Sequence, residues 1–306
     1  MSVKRTVHPS SLTGDDQRPR TTPLDAYRRV LEHLGTERAP ELSELELDRI
    51  RATIAMIPPD VTTVLDVGCG DGQIIRRLPK HFRATGIDYS HSSVSKLPGR
   101  GLCASLEDLP FPDRSFDLVM CCEVLEHLPD EMFKRGLHEL ERIARKYILI
   151  SVPYKENLRL HRTQCSECGT IFHSWGHLRR FTNASLKGLF EDFVVGSTGF
   201  VGQRSPYYLP IVLGVNQRYG NRWADWEKTS ICPQCGNTEF RRTPRNAVTI
   251  VCGLVNLLTS CVVPASQKNW VLKCFVRRGS PGRHATDCRP DRNVGGEGVT
   301  PDEGIG

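Results

Sequence analysis

An α/β fold built on a doubly wound parallel sheet is what this chain of 306 residues predicts. Three observations carry the expectation. A short β-branched run, 61–67, ends in Gly68, Gly70 and Gly72, the pattern of a buried strand turning tightly beneath a ligand. Further strand-length apolar runs alternate with stretches of helical period. Breakers separate the two kinds of segment.

Taken in order, residues 24–37 and 41–57 repeat Leu, Ile and Ala at helical spacing, and Pro58-Pro59-Asp60 stops the second helix before the strand 61–67. A helix is expected over 73–78, a strand over 84–88, a short strand near Leu102, a strand over 116–121, a helix over 130–144 and a strand over 147–152. Residues 247–265 carry no charge, yet Asn256, Gly253 and Pro264 interrupt them. They read as a buried or interfacial helix rather than a membrane span. A closing strand follows at 270–278. Residues 1–22 and 279–306 have almost nothing to bury and read as disordered tails, leaving 23–278 as the folded domain.

Composition narrows the class further. Lys and Arg number 41 against 35 Asp and Glu, and the excess is not gathered into one basic run, so charge alone does not argue for nucleic acid. The 12 cysteines follow no secretory leader, which points to a reducing cytoplasm and metal-bound thiolates rather than a disulfide scaffold.

The glycines are spaced G-x-G-x-G behind Asp66, not G-x-G-x-x-G. Asp88 ends the second strand about sixteen positions after Gly72, in Gly86-Ile87-Asp88-Tyr89-Ser90. Next come Leu109-Pro110-Phe111-Pro112-Asp113-Arg114-Ser115-Phe116-Asp117 and then Cys122-Glu123-Val124-Leu125-Glu126-His127-Leu128. These four ordered pieces, over about residues 60–153, resemble the class I S-adenosylmethionine-dependent methyltransferases. The resemblance implies a Rossmann-like sheet of seven strands, the last inserted antiparallel after a covering helix. It also implies a cofactor held by Asp66, Gly68, Cys69, Gly70, Asp88 and Tyr89, with Cys122 at the end of the fourth strand. Many relatives place an acid for the adenine amino group where this chain has Ser105, so the backbone of Leu106 or the side chain of Glu107 is the expected substitute.

Glu123, Glu126 and His127 stand at i, i+3 and i+4, which puts them on one face if a helical turn begins there. His127 is the first candidate for the base that takes the acceptor's proton. The same E-x-x-E-H pattern resembles a metal set in two methyltransferase subgroups, one acting on quinone catechols and one on RNA ends. There a hard ion such as Mg²⁺ would orient the acceptor oxygens. The string also resembles members without a metal, in which it caps a helix and lines the pocket, and that is the favoured reading. Gly176-His177-Leu178-Arg179-Arg180-Phe181-Thr182 resembles a segment that shapes the acceptor pocket in glycan and small-molecule methyltransferases, and His177 could complete the metal set.

Two C-x-x-C-G knuckles, Cys165/Cys168 and Cys232/Cys235, lie in 154–245, between the core (60–153) and a C-terminal helix and strand (246–278). Four thiolates satisfy a structural Zn²⁺ in a closed site. The alternative uses Cys165, Cys168, His173 and His177. The function expected is methylation of a hydroxyl on a small molecule or glycan. The alternatives are a metal-assisted RNA methyltransferase and a non-catalytic cofactor-binding scaffold, and a hydrophobic acceptor would suit contact of 247–265 with a membrane interface.

Overall fold

The computed structural model describes residues 28–30, 32–33, 41–97, 99–204, 208–224, 230–239, 244, 246–263 and 268–279. Both expected tails, apart from Gly279, lie outside these residues, as does the expected helix 24–37 except for 28–30 and 32–33, which are helical.

Helix α1 (Glu44–Ala55) begins where Ser43 and Glu46 form a reciprocal capping box, which satisfies two of the backbone donors a helix start leaves open. Strand β1 (Thr63–Val67) then runs to the glycine loop. Only a single 3₁₀ turn, Ile75–Arg77, forms in the expected helix 73–78. After it come β2 (Arg83–Asp88), the one-turn helix α2 (His91–Val94), β3 (Gly101–Cys103), β4 (Phe116–Cys122), α3 (Asp130–Ile143) and β5 (Ala144–Pro153). The strand order is β3-β2-β1-β4-β5-β9-β8, with β8 (Phe193–Arg204) and β9 (Lys268–Arg277) closing the sheet. The first five strands are parallel, and β9 is antiparallel to both neighbours. Seven strands with one inserted antiparallel match the Rossmann-like sheet that the resemblance implied.

The sheet is covered on both faces. Leu65, Val67, Val119 and Cys121 belong to one buried cluster, whereas Val64, Leu118 and Met120 belong to the other, as strand alternation requires. Helix α3 buries Met132, Gly136, Leu140 and Ile143, a stripe at helical period. A Cβ on Gly136 would fall 2.8 Å from Leu106 Cδ2, so this close approach presses the 105–107 segment against the helix.

Strand β8 is long, but Gly196, Gly199 and Gly202 interrupt its apolar run, which hides the strand from a pattern reading. From β8 the chain enters α5 (Pro210–Tyr219) and α6 (Ala247–Val262), which pack together before β9. Between β5 and β8 lie a small hairpin, β6 (Arg162–Gln164) with β7 (Ile171–His173), and the short helix α4 (Asn183–Lys187). Among the described residues no helix is long and apolar enough to cross a membrane.

Candidate active site

β1 and β4 are neighbours, and the chain leaves them toward opposite edges of the sheet. Ligands of open α/β sheets bind at such a switch point, past the carboxyl ends of the strands. A cavity of about 210 Å³ lies there, lined by Gly68, Gly70, Asp88, Tyr89, Ser105 and Leu106 on one side and by Glu123, Val124, His127 and Met132 on the other.

The loop is shaped by its own glycines. Gly68 and Gly70 have φ of 75° and 54°, a region costly for side-chain-bearing residues. A Cβ on Gly68 would also stand 2.2 Å from Val124 Cγ2. Gly70 N–H donates to Asp88 Oδ2 at 2.8 Å and Ser90 N–H to Oδ1 at 2.9 Å. Asp88 therefore ties the loop to the end of β2 and lines the cavity. Asp66 is buried in β1, Cys69 packs its sulfur on Gly86, and Cys122 is buried at the end of β4. Glu107 pairs with Arg135. These four do not line the cavity, whereas Ser93 and Lys96, which no motif flagged, do.

Glu123 departs from the expected helical face. Its φ is 57°, so the chain kinks where a helical turn was expected. The carboxylate accepts from Ser151 Oγ at 2.9 Å and from Trp270 Nε1 at 2.6 Å, with Arg49 at 3.9 Å. Both oxygens are thus engaged by partners distant in sequence.

Glu126 and His127 turn instead toward the segment after β7. Potential ligand atoms of Glu126, His127 and His177 lie within 4.8 Å of one another, and those of Glu156, His173 and His177 form a second such group. His177 Nδ1 is 2.6 Å from Glu156 Oε2. Because a carboxylate only accepts, the imidazole must donate there, leaving Nε2 for the cluster. Burial opposes ionisation of Glu156, but hydrogen bonds from His173 and His177 outweigh it and hold its carboxyl at about 2. Glu126 is fully buried, and neither carboxylate oxygen has a hydrogen-bond partner among the described residues. Burial first, and Glu123 next, push its carboxyl well above the usual range. Burial and then His177 push the His127 imidazole down to about 3. At neutral pH this ring is uncharged and a weak base, better suited to accept a hydrogen bond or a cation than to take up a proton. Arg179 is a tether: it donates to Leu128 O and Asp130 and lies 3.8 Å from the Phe133 ring centroid. Sequence reading passed over Glu156, though its place just beyond β5 was a usable signal.

Residues 65–148 match the family model of a methyltransferase domain. An uncharacterized protein of Methanocaldococcus jannaschii is 31% identical over 155 residues, which cover 50% of this chain and 62% of that protein. A ubiquinone biosynthesis O-methyltransferase of Coxiella burnetii is 38% identical over 77 residues, covering 22% of this chain and 33% of its own length. The chain thus spans less than two thirds of either relative. Among solved structures, the N-methyltransferase NodS of Bradyrhizobium japonicum, in complex with S-adenosyl-L-homocysteine, shares 13% identity at a TM-score of 0.49, over 83% of this chain and 99% of its own.

The cysteine knuckles lie outside the methyltransferase-domain match. The first joins β6 to β7, and both use the same turn: Gly169 N–H donates to Cys165 O and Gly236 N–H to Cys232 O, with glycine φ of 72° and 76°. Cys165 and Cys235 sulfurs are 3.5 Å apart, Cys168 and Cys232 sulfurs 3.6 Å. The structure brings the four cysteines together and sets His173 and His177 on Glu156 instead.

Proposed function

We propose that this protein is an S-adenosylmethionine-dependent methyltransferase acting on a hydroxyl of a small molecule or glycan. The observation that carries the reading is the glycine loop clipped by Asp88 at the floor of the switch-point cavity. The methyltransferase-domain match over the same residues supports it. Bound there, S-adenosylmethionine supplies a methyl on a sulfonium sulfur. Gly68 and Gly70 give the backbone a close approach, Asp88 and Tyr89 take the ribose end, and Leu106 offers its backbone at the adenine end. Displacement at the methyl carbon needs alignment and loss of the acceptor's proton, with no covalent enzyme intermediate. His127 and Glu123 face the same cavity and bound the acceptor's side. The spread of charge favours a small acceptor over RNA. Transfer of labelled methyl to a panel of hydroxyl acceptors, with Asp88→Ala as control, tests the reading. Cofactor binding without transfer to any acceptor would favour a non-catalytic role.

A second reading concerns a divalent cation at Glu126, His127 and His177. Its support is the pair of Glu126 oxygens, without a hydrogen-bond partner among the described residues, beside two imidazoles. Nitrogen-rich donors suit a transition-metal dication better than Mg²⁺. Activity unchanged after chelation removes a catalytic ion. We assign Zn²⁺ to the four cysteines as a structural ion. Tetrahedral ligation with Zn–S of about 2.3 Å sets sulfurs about 3.8 Å apart, close to the 3.5 and 3.6 Å found. Metal analysis of the purified chain should return one zinc per molecule.

A further inference from the structure

Helices α5 and α6 form a pair with its polarity inside out. The residues they bury are Leu213, Asn216, Thr249, Cys252 and Asn256, three of them polar. Thr249 satisfies its hydroxyl on Gly220 O at 2.7 Å. Most of the large apolar residues of α6 face outward at helical spacing: Ile250, Leu254, Leu257, Leu258 and Val262 are 56–81% exposed. On α5, Ile211 is 82% exposed. Scattered exposed apolar residues need no explanation, but a continuous face of this kind marks an interaction surface.

The surroundings indicate the partner. Exposed Arg218 and Arg222 stand at the end of α5, beside Tyr219 and Trp223. Sequence adds Arg241, Arg242 and Arg245 just before α6, and no Asp or Glu occurs between Glu239 and Asp287. An apolar helix face with basic and aromatic residues at its end has the chemistry of a segment lying in the head-group region of an anionic membrane. Length supports lying over spanning: 16 residues rise about 24 Å, short of the roughly 30 Å hydrocarbon core. The pair is also well placed. It connects the carboxyl end of β8 to the start of β9, where Trp270 pairs with both Val201 and Pro153. That is the end of the sheet at which the cavity opens.

We propose that the α5–α6 pair docks on an anionic lipid surface, with the outer face of α6 at the acyl boundary and Arg218 and Arg222 at the head groups. The docking does not depend on the methyl-transfer reading. It is tested by flotation of the full chain with phosphatidylcholine vesicles, with and without phosphatidylglycerol. Binding should require phosphatidylglycerol and weaken with salt. It should fall by about tenfold or more in Leu254→Glu/Leu258→Glu, with circular dichroism unchanged. Arg218→Gln/Arg222→Gln, away from the apolar face, should weaken binding and its salt dependence. Absence of binding to phosphatidylglycerol vesicles overturns the proposal. So does a concentration-dependent dimer, seen by sedimentation, that the Leu pair abolishes in a chain that does not float.

Discussion

Replacing Asp88 by Asn separates the two tasks assigned to that carboxylate. In the native loop Oδ2 accepts from Gly70 N–H and Oδ1 from Ser90 N–H. Asn keeps one acceptor and presents a donor in place of the other, so one backbone N–H faces an NH₂ group. A hydrogen bond to a charged acceptor contributes about 1.5–3 kcal/mol, and an orphaned donor costs a similar amount. The loop should therefore lose about 2–3 kcal/mol, a fall in Tm of about 4–10 °C for a domain of this size. The amide also loses the charge that would accept the ribose hydroxyls. At about 3 kcal/mol, S-adenosylhomocysteine affinity should drop by about 10²-fold. Titration calorimetry measures the second effect and thermal unfolding the first, with Asp108→Asn, at an exposed site, as control. If the Asn variant melts early but binds the product within about threefold of wild type, Asp88 is a loop clip and the cofactor assignment is wrong.

Gly68→Ala combines left-handed strain of about 1–2 kcal/mol with overpacking against Val124 of about 1–3 kcal/mol. Urea unfolding should show a loss of about 2–5 kcal/mol, and adding Val124→Ala should recover only the overpacking part. Cys168→Ser should lower zinc content measured by plasma mass spectrometry and reduce Tm. S-adenosylhomocysteine affinity should stay within about threefold of wild type, since the cavity is built from other residues. Asp117 gives a pH signature. Burial opposes its charge, but the N–H groups of Thr62 and Thr63, each at 3.1 Å, together with Lys146, hold its carboxyl below 3.8. Its contribution is complete above that value and is lost as pH falls through the lower folded value. Asp117→Asn should therefore be less stable than wild type at pH 7, with the gap narrowing below about pH 4 in thermal melts.

What could be read from the sequence divides along contact range. The β1 loop, Asp88 and the two knuckles are short segments whose geometry is set by their own residues: positive φ at Gly68, Gly70, Gly169 and Gly236, and turns closed within five residues. Glu123 shows the opposite. Its spacing with Glu126 and His127 fits a helix, but Trp270, 147 residues away, and Ser151 capture the carboxylate, and the backbone adopts φ of 57° to deliver it. No local periodicity contains that information. The Glu156, His173 and His177 group is likewise assembled across the β6–β7 hairpin. Strand β8 was concealed by its glycines, one of which, Gly196, leaves room for Val276 of β9.

The same division bears on how the two sides of the cavity are built. Strands β1 and β2, with their loops and the 104–106 segment, line one side of the cavity, the side proposed to hold the cofactor, and the methyltransferase-domain match spans 65–148. Two large additions leave the sheet at the cavity end: the β6–β7 hairpin with the first knuckle follows the carboxyl end of β5, and the α5–α6 pair, with the second knuckle between its helices in sequence, follows that of β8. Trp270 joins the two sides, because it pairs with Pro153 and Val201 in the sheet while its indole donates to Glu123 in the cavity wall. Arg49 of α1 lies 5.7 Å from the Trp270 ring centroid and 3.9 Å from the Glu123 carboxylate. Glu123 is thus held by β9 and α1, whereas Asp88 is held by the Gly70 and Ser90 N–H groups of its own loops, so the two sides of the cavity are anchored to different parts of the sheet.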